Sequence, residues 1–172
     1  MAAGATYEPI ATTTLSSNVQ SVTFSSISSN FTDLILVGRF SAVTGATATV
    51  YMQLNGDTNT NYSATSLIGT SGAGSTRITN SKGIYIGDGT SGVPTGQVNA
   101  LVHLQNYANT TTNKTVLARY NSASTEVSAS VGLWRSTSAI NQILIYIGFS
   151  NGGYSDNFAS GSTFTLYGIA AA

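Results

Sequence analysis

His103 is the only histidine in the chain, so any imidazole-based proton transfer would have to start there. Such catalysis needs a nucleophile on one side and an orienting carboxylate on the other, and no local motif supplies either. Its alternation partners Asn99, Leu101 and Gln105 put it on one face of a strand, as a structural residue. Glycoside cleavage would instead need two carboxylates a few ångströms apart. The acids Glu8, Asp33, Asp57, Asp88, Glu126 and Asp156 are widely separated and fall mostly in turns. A polysaccharide-cleaving centre using Asp57, Asp88 or Asp156 would therefore depend on folding alone. Asp57-Thr-Asn59-Thr-Asn61 copies the start of a calcium loop, but Tyr62 replaces its glycine and Ile68 its bidentate glutamate. With one formal charge among those ligands, calcium would bind weakly, and an Asn/Asp-rich turn is the better account. Gly69-Thr-Ser-Gly-Ala-Gly74 has phosphate-loop spacing without the lysine. No catalytic residue, cofactor or metal is expected.

The elements that would position such residues follow from composition. Only 7% of the 172 residues are charged, while 24 are Ser and 25 are Thr. Soluble domains average about 25% charged residues, so this chain wets its surface with hydroxyls and amides. Ser and Thr compete for helix hydrogen bonds but suit a half-buried pleated surface. Six cations balance six acids, and Arg39, Arg77, Lys82, Lys114, Arg119 and Arg135 are scattered singly. That pattern argues against nucleic acid, which needs clustered cations. Zero net charge favours association. Cysteine is absent, which removes disulfides and thiolate sites. The stretch Met1–Tyr7 lacks a signal-peptide pattern and Ile143–Ile147 is too short to cross a bilayer. The expectation is a cytoplasmically made protein with no membrane partner.

Period-two alternation recurs along the chain. It marks Val22–Phe24, Leu34–Phe40, Ala48–Leu54, Val98–Leu104, Val116–Tyr120, Val127–Leu133, Ile143–Ile147 and Phe164–Leu166, with apolar groups inward and mostly hydroxyls outward. Turn clusters such as Asn55-Gly-Asp57 and Asn151-Gly-Gly153 separate them. The pattern predicts one all-β domain over 1–172, an antiparallel jelly-roll-like sandwich of about eight strands. Residues 1–14 read as an extended arm able to join a neighbour's sheet. Residues 69–96, with eight glycines, read as long loops holding a short hairpin at Ile84-Tyr85-Ile86.

Contact residues are the remaining chemistry. Trp134 and Arg135 are types enriched at interface hot spots, although Trp134 also suits a second core layer. Tyr7, Pro9, Tyr85 and Tyr154 are further candidates for an interface, or for capping the ends of the sandwich.

Several stretches together resemble a known family. They are Tyr7-Glu-Pro-Ile-Ala-Thr-Thr-Thr-Leu15, Gln53-Leu-Asn-Gly-Asp57 with Asn61-Tyr-Ser63, Asn109-Thr-Thr-Thr-Asn-Lys-Thr115, Leu133-Trp-Arg-Ser-Thr137 and Gly161-Ser-Thr-Phe-Thr-Leu-Tyr-Gly-Ile169. The chain is similar to small jelly-roll-like virion structural proteins of tailed bacteriophages. The resemblance implies a non-enzymatic capsid decoration or cement protein on the particle exterior. Its partners would be the major capsid protein or another virion protein and its own copies, a homo-trimer being favoured. A tail or fibre module recognising a host glycan through the 69–96 loops is the alternative.

Overall fold

A computed structural model describes residues 6–45, 48–87, 92–122 and 126–170. Asp88 and residues 1–5 of the expected arm lie outside them, as do 88–91 of the expected loops.

Among the described residues, two antiparallel sheets with thirteen strands between them stack to form a jelly-roll-like β-sandwich. The larger sheet has the spatial order β1 (Tyr7–Thr14), β13 (Thr163–Ile169), β3 (Asp33–Phe40), β8 (Val98–Leu104), β9 (Lys114–Ser122), β10 (Glu126–Trp134), β5 (Tyr62–Gly69) and β6 (Ala73–Ser81). The smaller runs β12 (Tyr154–Asp156), β11 (Ile143–Gly148), β4 (Thr49–Leu54) and β7 (Ile84–Tyr85), with β2 (Ser21–Phe24) also paired to β11. The alternation read from the sequence sets most inner faces. Leu34, Leu36 and Phe40, Val98 and Val102, and Val116 and Tyr120 meet Val50, Met52 and Leu54 and the isoleucines of β11 in one core. Phe40 stacks on Phe164 at 5.4 Å, and Phe158 meets both rings edge-on.

Four expectations need correction. Thirteen strands replace about eight because β7 and β12 are too short to show a period and β1, β5 and β6 carry no sustained apolar alternation. The expected arm is β1, an edge strand already paired to β13 of its own sheet. The 69–96 stretch is not chiefly loop, since β6 forms the opposite edge of the large sheet. Its glycines, serines and threonines give no apolar alternation, because β1 and β6 are exposed along most of their length.

The fourth correction concerns β10, which is turned over. Its inner face is Glu126, Ser128, Ser130, Gly132 and Trp134, while Val127 and Val131 face outward, 62% and 55% exposed. The cause is the close approach of β7 and the residues after it. A Cβ at Gly132 would collide with the Ile84 side chain. Ser130 Oγ donates to the Gly87 carbonyl at 3.0 Å and lies 2.8 Å from Ser66 Oγ, whose hydrogen bond it shares. Only small residues fit beneath a backbone held that near, and their hydroxyls satisfy its buried carbonyl.

Gly132→Val therefore should overpack this seam and lower stability by about 2 kcal/mol. Urea denaturation of the variant against the native chain measures it.

Candidate binding face

The outer face of the large sheet is the surface on which the sequence places most apolar area without a cover. Strand register lines its outward side chains up in rows. One row runs Tyr167, Ile35, His103, Leu117, Val131, Thr65. The next runs Thr165, Val37, Leu101, Arg119, Ala129, Leu67. A third, Thr163, Arg39, Asn99, Asn121, Val127, is more polar and borders them. Together the first two rows floor a shallow groove of ≈ 900 Å³ whose lining reaches Tyr7 on β1. Leu67 is 66% exposed and Leu117 41%. A contiguous aliphatic surface of this kind on a folded chain marks an interaction site. The sequence carries the signal, as two valines and a leucine of β10 sharing one face, but the structure turns that face outward and not inward.

His103 stands at one end of this groove. Its Nε2 lies 2.8 Å from Asp33 Oδ2, and Asp33 Oδ1 accepts the Asn106 N–H at 2.7 Å. Folding thus supplies the orienting carboxylate that no motif showed. Among the described residues no Ser or Thr hydroxyl bonds to the imidazole, so the pair lacks the nucleophile a triad requires.

Trp134 is buried, in accord with the core reading and not with a contact surface. It stacks on Tyr62 with ring centres 6.2 Å apart, and its indole N–H donates to Asp57 Oδ2 at 2.7 Å. Asn55 and Gly56 adopt left-handed φ of 52° and 65°, which swings Asp57 back under the indole. Asn61 Nδ2 and the Asn59 backbone and side-chain nitrogens also donate to Asp57 at 2.9 Å. The residues of the calcium-like pattern thus turn N–H groups onto the carboxylate, which is an anion's environment and not a cation's. Burial would push the Asp57 carboxyl up, but these donors hold it below the usual range. Arg135 is exposed and reaches Ser63 Oγ at 3.2 Å. Asp156 is occupied separately by Thr44 and Asn157, at the other end of β4 from Asp57. The two acids do not converge.

Tyr85 is buried, its hydroxyl 3.1 Å from the Ala64 carbonyl and 3.0 Å from the Thr76 carbonyl, between which its one proton is shared. It belongs to a tyrosine cluster on the small sheet, where Tyr51 stacks on Tyr146 at 5.6 Å and the half-exposed Tyr154 tilts onto Tyr146 at 5.1 Å. Burial, with Tyr85 beside it, pushes the Tyr51 phenol up to about 12, and burial raises Tyr146 too. Tyr7 and Pro9 are exposed on β1, with Tyr7 edge-on to Tyr167. Nothing in the sequence marks Lys114 as a core residue. It is buried, its ammonium donating to the Thr112 and Thr137 carbonyls, and desolvation pushes its pKa down.

No protein-family model and no curated protein sequence matches the chain. Among solved structures, an alginate lyase Aly36B mutant in complex with alginate tetrasaccharide is similar over 96% of this chain and 74% of its own, at 9% identity and a TM-score of 0.39. A GH43 protein BlXynB mutant from Bacillus licheniformis is similar over 88% and 32%, at 10% identity and a TM-score of 0.40. Scytalido-glutamic peptidase gives 87% and 75%, at 11% identity and 0.32. Likeness this distant transfers no activity or substrate.

Replacing Asp57 with Ala strands the buried indole N–H and should cost about 2 kcal/mol, read by denaturation followed through Trp fluorescence. At alkaline pH the unfolded phenols, near 10.0, ionise before the buried Tyr51 does. Its contribution is thus intact below pH 10.0 and is lost as pH rises through about 12. Stability measured against pH should fall over that window, and less steeply in Tyr51→Phe.

Proposed function

We propose that this chain is a non-enzymatic virion structural protein that attaches to an assembled protein surface through the outer face of its large sheet. The single observation that carries this reading is the uncovered aliphatic floor formed by Val37, Leu67, Leu117 and Val131. The resemblance to phage decoration proteins supplies the setting, the exterior of a particle. Attachment by mass action stabilises whatever it binds: a ligand specific for the closed shell favours the closed shell. Repetition over a lattice of identical sites makes many weak contacts hold as one.

The lining weighs against a glycan on this face; the glycan alternative places its contacts on the 69–96 loops instead. Sugar hydroxyls laid on leucine, isoleucine and valine would lose their hydrogen bonds to water without replacement. Protein side chains of similar character lose nothing by the same burial and gain about 25 cal/mol per Å² of apolar area covered.

Particles carrying the chain should rupture at a higher temperature than particles stripped of it, and re-addition should restore the difference. The double variant Leu117→Asp/Val131→Asp should fold but fail to restore it. Equal rupture temperatures would reject the cement role; full restoration by the variant would reject this face.

A further inference from the structure

The charges around the aliphatic floor specify what covers it. Three of the six basic residues of the chain, Arg39, Arg77 and Arg119, stand on this one face, Arg77 by its register opposite Thr65. All three are exposed. Among the described residues none of the three has an ion pair or a hydrogen bond. The acid that register puts with them is Asp33, opposite Ile169, and His103 already holds it. The face is therefore both apolar and cationic, although the chain as a whole is neutral.

Strand spacing puts Arg119 about 12 Å from Arg39 and about 16 Å from Arg77, measured along the sheet. An apolar partner would bury these guanidinium groups unpaired, which is strongly unfavourable. A second copy presenting the same face would bring arginines toward arginines. A phosphate backbone would neutralise them but leave the leucines and valines between them facing a polar chain. A partner surface that alternates carboxylates with aliphatic groups satisfies both demands at once.

We propose that the outer face docks an acidic, aliphatic protein surface. Its carboxylates meet Arg39, Arg77 and Arg119 while its aliphatic side chains cover Val37, Leu117 and Val131. This identity of the partner rests on the attachment reading above and deepens it.

The test uses the full chain, stripped particles, and two short synthetic peptides, one alternating Glu with Val and one alternating Lys with Val. The Glu/Val peptide should bind about tenfold or more tighter than the Lys/Val peptide, and added salt should weaken it. The triple variant Arg39→Gln/Arg77→Gln/Arg119→Gln should lose that preference and attach about tenfold more weakly to particles. The three single variants repeat the measurement should the triple variant melt below the native chain. Equal binding of both peptides, salt-independent binding, or an unchanged triple variant overturns the acidic partner. So does binding of duplex DNA that the triple variant loses, which would assign phosphate, or a dimer that Leu117→Asp/Val131→Asp dissolves, which would assign a second copy. If the arginine variants attach normally while Leu117→Asp/Val131→Asp does not, the attachment reading stands and only the acidic partner fails. If all variants attach normally, both fail.

Discussion

The seat of β7 on the inner face of β10 and β5 is the constraint from which the rest of this molecule follows. Ile84 occupies the space over Gly132, and the Gly87 carbonyl is met by Ser130 and Ser66. A backbone held that close leaves no volume for large side chains, so β10 can bury only small and hydroxylated residues there. Its valines have one other place to go. The packing that closes the sandwich on one side thereby builds the apolar face on the other.

A second joint sets the end of the sheet beside that face. The Asn55-Gly56 turn brings Asp57 to the Trp134 indole, Asn55 ties into the chain at Ala139, Asn141 and Gln142, and Arg135 holds Ser63. Lys114 adds a buried ammonium that binds the turns at Thr112 and Thr137. Three of the stretches that suggest a family likeness meet here, since 133–137 contacts both 53–63 and 109–115, while the other two, in β1 and β13, pair with each other at the far edge of the sheet. Their side chains are spent on holding turns and edges together. The open face of the large sheet is different: there exposed aliphatic rows and arginines share one surface.

Much of this was legible in the residues. Alternation in β3, β8 and β9 placed the core side chains, in β4 and β11 it placed one of two faces that are both buried, and the hydroxyl-rich, charge-poor composition placed the chain among all-β sandwiches. Asn55-Gly56 announced a turn, and Trp134 carried the second-layer core reading that its burial bears out. The exposed edges β1 and β6 escaped because a strand with both faces in water has no apolar period to read. His103 found its carboxylate only because β3 and β8 are neighbours, seventy residues apart in the chain.

What the sequence determines by itself is periodicity: which residues share a side of a ribbon. It does not determine which side is inside. For β10 both sides are plausible, one of valines and one of serines and glycine, and hydrophobicity alone favours the valines. The choice is made by what stacks against the strand, a volume and hydrogen-bond constraint that exists only once β7 is in place. Tertiary structure therefore decided the location of the exposed apolar face, because steric exclusion between segments distant in the chain outweighs the burial of two or three side chains.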